Sequence, residues 1–104
     1  MHLNSDIKKN SIGKTTCQGY FIVKNDRGLH TRPSTEIVRL ATSFKSEIKL
    51  EFQKMNVNAK SLLGILMLAA AKGSKIKISA QGKDAEKAVL ALEELAYCNF
   101  NIKY

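Results

Sequence analysis

Cysteine, proline and tryptophan are scarce or absent in this chain of 104 residues, which has two Cys, one Pro and no Trp. Cys17 and Cys98 stand in no metal-binding or redox spacing, so we expect free thiols and neither a disulfide framework nor a metal site. No apolar run is long enough to cross a bilayer. Residues 1–16 are polar and lack the hydrophobic segment of a secretory signal, which favours a cytoplasmic protein without membrane insertion.

Acidic residues are also in the minority. The chain has 17 Lys and Arg residues but only nine Asp and Glu residues, and its formal net charge is +8. Such an excess favours acidic partners, whether nucleic acid, anionic lipid or an acidic protein surface. The lysines are spread from Lys8 to Lys103 rather than clustered, which weakens the nucleic-acid interpretation. The chain length indicates one domain with a modest core.

The only proline closes the most informative stretch, Gly28-Leu29-His30-Thr31-Arg32-Pro33. Gly28 suits a turn, and Pro33 suits the first turn of a helix, where a missing N–H costs little. An apolar helical stripe follows, which puts His30 where a loop becomes a helix. Unpaired backbone N–H groups there, together with the guanidinium of Arg32, predict an anion site. A neutral His nitrogen at such a site can itself accept a phosphoryl group. The stripe consists of Ile37, Leu40, Ala41 and Phe44.

The hydrophobic pattern predicts a domain with the element order β-α-β-β-α-β-α. Alternation over Glu47–Phe52 and Lys75–Ala80 indicates half-buried strands, so one sheet face should carry helices and the other should face solvent. We expect a flexible N-terminal extension over residues 1–17, the domain over 18–98 and a tail over 99–104. The other predicted elements are strands over Gly19–Lys24 and Met55–Asn58 and helices over Thr31–Phe44, Leu62–Ala70 and Asp84–Tyr97.

The second predicted helix is apolar nearly all round, unlike a surface helix with a single apolar stripe. A short buried helix would explain part of this pattern, and the surplus of apolar side chains indicates a docking surface. Ser61 stands just before this helix and is expected to cap its N-terminus. A phosphate on Ser61 would be stabilised at the same position.

Two segments carry a resemblance to a known family. Asp26-Arg27-Gly28-Leu29-His30-Thr31-Arg32-Pro33 resembles the active-site segment of the histidine-containing phosphocarrier protein HPr, of the phosphoenolpyruvate-dependent sugar phosphotransferase system. Lys60-Ser61-Leu62-Leu63-Gly64-Ile65-Leu66, followed by Ala71-Lys72-Gly73, resembles the regulatory-serine region of HPr. The resemblance covers about Gln18 to Cys98. It implies an α+β fold, an HPr-like open-faced sandwich with a four-stranded antiparallel sheet and three helices on one face.

The same resemblance implies a function. His30 would accept a phosphoryl group on Nδ1 from phosphorylated enzyme I and pass it to enzyme IIA domains, with Thr31 and Arg32 stabilising the charge. The protein would be a stoichiometric carrier, not an enzyme, and would need no cofactor or metal. Ser61 would be the target of a dedicated HPr serine kinase/phosphatase. We expect a monomer, since the carrier must expose its site. Docking is assigned to Leu62, Leu63 and Leu66, with steering charges at Arg39 and Lys60.

Several alternatives stay open. His30 can be a solvated helix cap, and the charges near it can be ordinary surface charges. The basic α/β chain can be an RNA-binding module, although the two alternating strands offer only Phe52 as an aromatic for base stacking. A small phosphatase can use the same anion site, although no Cys or Asp stands beside it as a nucleophile. The protein can also keep the fold of a carrier and serve mainly in regulation, in an incomplete phosphotransferase system. Arg27 departs from the smaller polar residue often found in HPr, which leaves the detail of the preceding turn open.

Overall fold

The computed structural model describes residues 6–9 and 15–102 of the chain. Five strands, three α-helices and one short 3₁₀ helix follow one another along these residues. Their order is β-β-α-β-β-α-β-α, and the 3₁₀ helix ends the series. The strands are β1 Asp6–Lys9, β2 Thr15–Ile22, β3 Glu47–Phe52, β4 Met55–Asn58 and β5 Lys75–Gln81; the helices are α1 Thr31–Thr42, α2 Leu62–Met67 and α3 Ala85–Tyr97, and the 3₁₀ helix covers Asn99–Asn101.

All strand pairs are antiparallel, and the strands lie in the order β1-β2-β5-β3-β4. The four-stranded sheet β2-β5-β3-β4 with three helices on one face is the predicted open-faced sandwich, and that prediction is confirmed. The register places Phe21 opposite Ile76 and Leu50 opposite Ile78. These side chains are buried, and their strand neighbours point to the open face, as the alternating pattern indicated.

The core lies between this sheet and the helices. Ile48 and Leu50 of β3 and Ile76 and Ile78 of β5 are almost fully buried. The apolar stripe of α3 covers β2 and β5, while α1 packs against α2 and α3. Burial of one strand face and one helix stripe supplies most of the driving force for this arrangement. The buried stripe of α3 consists of Ala85, Ala88, Val89, Leu92, Leu95 and Ala96.

The prediction of a flexible extension over residues 1–17 is wrong for part of that segment. Asp6–Lys9 forms the fifth strand and pairs with β2, with Asp6 opposite Gln18 and Lys9 opposite Thr15. Strand β2 therefore begins at Thr15 rather than at Gly19. The edge of β2 offers unpaired N–H and C=O groups, which another strand can bind whatever its side chains are. The four residues of β1 therefore need no hydrophobic pattern, and their sequence did not indicate a strand. The remainder of the predicted extension lies outside the described residues.

The predicted tail after residue 98 is also wrong as far as residue 102, because this segment enters the core. Phe100 is 0% exposed and Ile102 is 7% exposed. The backbone of Asn99, Phe100 and Asn101 has φ of 54°, 57° and 57°, which turns the chain sharply back onto the domain. The Phe100 ring packs edge-on against Phe21, with ring centroids 5.9 Å apart and an interplanar angle of 77°. A chain reversal of this kind has neither helical nor strand periodicity, so the hydrophobic pattern of the sequence does not predict it.

Candidate functional site

The loop before α1 is shaped by Gly28. Its φ is +70°, a conformation that favours glycine, and its N–H donates to the Asn25 carbonyl at 3.0 Å to close a tight turn. A Cβ on Gly28 would collide with the carbonyl oxygen of Ala70 and lie 3.0 Å from the Cα of Ala71. The loop therefore lies directly against the segment that follows α2, and only a residue without a side chain fits there.

Backbone hydrogen bonds join these two segments. The Leu29 N–H donates to the Ala70 carbonyl at 2.9 Å, and the Gly73 N–H donates to the Val23 carbonyl at 2.8 Å. Lys72 Nζ also lies 2.7 Å from Asp26 Oδ1. The hydrogen bond and positive charge of Lys72 lower the pKa of the Asp26 carboxyl below its ordinary value. The two segments singled out in the sequence, around His30 and around Lys72, are thus neighbours in the fold.

His30 is the N-cap residue of α1, with extended backbone at φ −81° and ψ −169°. Its N–H donates to the Gly28 carbonyl at 2.9 Å, and its carbonyl accepts from the Ser34 N–H at 3.1 Å. His30 is partly exposed. This is the predicted junction between loop and helix.

The first turn of α1 contains the groups that are predicted to bind an anion. The N–H groups of Thr31 and Arg32 have no acceptor within the helix, because the carbonyls that would serve them lie before its start. Pro33 follows and has no N–H of its own, which suits the first turn of a helix. Its side chain is buried, so this side of the turn faces the core. Thr31 and Arg32 are exposed. Two N–H groups at the positive end of the helix, with the exposed Arg32 in the same turn, are groups that can bind an oxyanion next to His30.

The two basic residues expected to steer partners have different surroundings. The Arg39 side chain is 72% exposed and forms an ion pair with Glu36 at 3.3 Å. The ammonium of Lys60 instead donates to the Phe44 carbonyl at 2.8 Å, just beyond the end of α1. Lys60 therefore links the start of α2 to the end of α1, and this structural bond was not predicted from the sequence.

Helix α2 presents the predicted apolar surface. Leu62 is 37% exposed and Leu63 is 69% exposed, whereas Leu66 is partly buried and Ile65 is fully buried. Met67 is 60% exposed and extends this surface beyond the residues predicted from the sequence. The Oγ of Ser61 accepts from the Gly64 N–H at 3.1 Å, which confirms the predicted N-cap. Helix α2 ends at Met67 rather than Ala70, and Ala69 has a φ of 50°.

His30 does not line the groove between the helices α1 and α3. A groove of about 440 Å³ lies between α1 and α3, and it is lined by Glu36, Arg39, Leu40 and residues of α3 rather than by His30. Within residues 6–9 and 15–102, His, Cys, Asp and Glu side chains form no group of three that could hold a metal ion. No helix in the same part of the chain has the length and apolar character required to span a membrane.

Comparisons with known proteins identify the family and the fold of the chain. The family model described as "PTS HPr component phosphorylation site" matches residues 18–97. A crystal structure of HPr-C-His from Thermoanaerobacter tengcongensis is 38% identical with a TM-score of 0.79, and the match covers 84% of this chain and 98% of that chain. The phosphocarrier protein HPr from Bacillus anthracis str. Ames is 39% identical with a TM-score of 0.72, covering 76% and 94% respectively. Crh, the catabolite repression containing protein of Bacillus subtilis, is 35% identical with a TM-score of 0.64, and the match covers 72% of this chain and 86% of that chain.

Proposed function

Because this chain belongs to the HPr family of the phosphotransferase system, we propose that it carries a phosphoryl group on Nδ1 of His30. Phosphorylated enzyme I is the donor, and enzyme IIA domains are the acceptors. The observation that carries the proposal is the position of His30 at the start of α1, half-exposed and directly before two N–H groups that the helix leaves without an acceptor. We place the protein in the cytoplasm, as a monomeric shuttle between these partners.

The transfer needs alignment and charge stabilisation rather than elaborate acid–base chemistry. The lone pair on Nδ1 of His30 forms the new bond to phosphorus, while the bond from phosphorus to the donor group of enzyme I breaks. The N–H groups of Thr31 and Arg32 and the Arg32 guanidinium stabilise the negative charge on the phosphoryl oxygens. Transfer to enzyme IIA is the same step in reverse, with His30 as the leaving group. Thr31 and Arg32 are exposed and His30 is partly exposed, so we expect a partner's active site to reach them.

The direct test is phosphorylation by phosphoenolpyruvate and purified enzyme I, followed by intact mass measurement. We expect one added phosphate that is lost in acid, since phosphohistidine is acid-labile, and no addition to the His30→Ala variant. Arg32→Ala should still fold and should accept the group more slowly. Failure with an enzyme I from the same source, which is active on another HPr, would contradict the proposal and reduce His30 to a helix cap.

The docking surface proposed for these partners is the exposed face of α2. Leu62, Leu63 and Leu66 were assigned to it from the sequence, and the exposure of Met67 extends it. The chain that leaves α2 bonds to Leu29 through Ala70, so the apolar face and His30 belong to one continuous part of the molecule. A partner that covers α2 can therefore present its own phosphoryl group to His30.

We also propose that Ser61 is a regulatory phosphorylation site. Ser61 is partly exposed and directly precedes the exposed Leu62 and Leu63 at the start of α2. A phosphate would add about −1.5 to −2 charges there, and it would repel partners that a protein of net charge +8 attracts through their acidic surfaces. A cognate HPr kinase with a phosphate donor should modify the wild type and leave Ser61→Ala unmodified. Slower transfer from enzyme I to the Ser61-phosphorylated protein would support regulation by this route, and an unchanged rate would contradict it.

A further inference from the structure

Buried polar side chains are few in this domain, and two of them lie at the same loop. Asn25 is 3% exposed and Ser34 is 0% exposed. The Asn25 side chain donates through Nδ2 to the Gly28 carbonyl, and the Ser34 hydroxyl donates to the Leu29 carbonyl at 3.2 Å. Gly28 and Leu29 are the two residues immediately before His30. Both buried side chains therefore act on the backbone that leads into the proposed phosphoryl acceptor.

The backbone bonds of the loop complete this arrangement. The Gly28 carbonyl accepts from the Asn25 side chain and also from the His30 N–H at 2.9 Å. The His30 carbonyl accepts from the Ser34 N–H at 3.1 Å. The carbonyls of three successive residues, 28 to 30, are thus all engaged by donors, and two of those donors are side chains. Rotation of either peptide plane before His30 would break at least one of these bonds.

A contribution to stability does not by itself explain why the polar side chain of Asn25 occupies this buried position. Its Oδ1 is buried and has no hydrogen-bond partner among the residues that the structure describes. A buried acceptor that is left without a hydrogen bond carries a desolvation penalty, which opposes the gain from the bond that Nδ2 makes. An apolar side chain of similar size would avoid that cost. The polar side chain is better explained by the directional bond to Gly28, which sets where the next residues lie.

We propose that Asn25 and Ser34 are positioning residues for the phosphoryl acceptor. This inference rests on the proposed function of His30. By holding the Gly28 and Leu29 carbonyls, the two side chains fix the backbone on which the imidazole stands, relative to the N–H groups of Thr31 and Arg32. Phosphoryl transfer depends on such alignment, since a displacement of about 1 Å can cost roughly a hundredfold in rate. Neither side chain touches the phosphoryl group.

Ser34→Ala and Asn25→Asp test this assignment. Ser34→Ala removes one hydroxyl at little cost in volume, and Asn25→Asp keeps the shape of the side chain while removing the donor to the Gly28 carbonyl. Thr42→Ala is the matched control, because Thr42 makes the same kind of bond from its hydroxyl, to the Val38 carbonyl at 2.6 Å, near the other end of α1. Circular dichroism establishes that each variant is folded. Ser34→Ala keeps the test decisive if the buried carboxylate of Asn25→Asp prevents folding.

Two readouts separate positioning from a merely structural role. The first is the rate of transfer from phosphorylated enzyme I as a function of enzyme I concentration. We expect the maximal rate to fall roughly tenfold, or about 1.4 kcal/mol in the transfer barrier, with little change in KM because the α2 surface is untouched. The second is the ¹⁵N shift of the His30 imidazole by NMR, which needs no enzyme I and should move in both variants and not in Thr42→Ala.

The outcomes are distinguishable. Maximal rates within twofold of wild type together with unchanged imidazole shifts would overturn the inference, as would an effect confined to KM. If the wild type accepts no phosphoryl group at all, the proposed function fails, and the imidazole shifts still report whether Asn25 and Ser34 hold His30. Shifted imidazole resonances with normal transfer would show that the two bonds order the loop without serving the reaction, and this result would also overturn the inference.

Discussion

Replacing Phe100 by Ala is expected to lower the free energy of unfolding by about 3–5 kcal/mol, the usual range for a fully buried Phe. The ring is 0% exposed, and its edge-on contact with Phe21 adds a term that is typically about 0.5–1.5 kcal/mol beyond area burial. A domain of this size has a total stability of roughly 5–15 kcal/mol, so the loss is a large share of it. Urea unfolding followed by circular dichroism measures the difference directly.

The exposed aromatic three residues earlier is the matched control. Tyr97 is 76% exposed, and its contact with Lys24 Nζ, 4.8 Å from the ring centroid, is the kind of exposed cation–π pair worth about 0.5–1 kcal/mol. Tyr97→Ala should therefore cost less than about 1 kcal/mol. A chain that ends at Cys98 should lose as much stability as Phe100→Ala or more. Equal stability of Phe100→Ala and Tyr97→Ala would refute the placement of the segment after α3 in the core.

Three further perturbations test the site and its support. Gly28→Ala should destabilise the protein by at least about 1–2 kcal/mol in urea unfolding, because φ is +70° and the new Cβ would collide with the Ala70 carbonyl; an effect below 0.5 kcal/mol, on the order of a neutral surface change, would contradict the loop geometry. Leu63→Asp should leave stability nearly unchanged, since Leu63 is 69% exposed, and should raise the KM for enzyme I; an unchanged KM would remove Leu63 from the docking surface. The pKa of the Asp84 carboxyl is lowered below 3.8 by the Ser46 hydroxyl and by the N–H groups of Lys45 and Ser46. Its stabilisation is complete above the pKa of the unfolded chain and is lost as the pH falls through the lower pKa of the folded protein. Asp84→Asn should therefore be less stable than wild type at pH 7, and the difference should shrink as the pH falls below roughly 4, the ordinary pKa of an Asp carboxyl; a difference that does not depend on pH would contradict the role of the charge.

Elements with a clear hydrophobic period were predicted closely from the sequence. Strands β3 and β4 have the predicted bounds, and α1 begins at Thr31 as expected from the apolar stripe after Pro33. These elements follow from local rules, since side-chain alternation and helix-start residues are visible within a few positions. The segments at 6–9 and 99–102 were missed because their structure depends on distant partners. One is paired through backbone groups to β2, and the other is held by contact between Phe100 and Phe21.

The functional loop shows the same division between local and distant causes. The start of α1 directly after His30 could be predicted, because Gly28 and Pro33 mark a turn and a helix start within six residues. The contact between this loop and the chain after α2 could not be predicted. The hydrogen bond from the Leu29 N–H to the Ala70 carbonyl joins two positions that are far apart in the sequence and share no periodic pattern. Asn25 and Ser34 were missed for a further reason. Each bonds to a backbone carbonyl, which every residue type possesses, so no spacing of side chains indicates the pair. Buried polar side chains that bond the backbone around a reactive residue are therefore identified from the fold, even where the reactive residue itself is evident from the sequence.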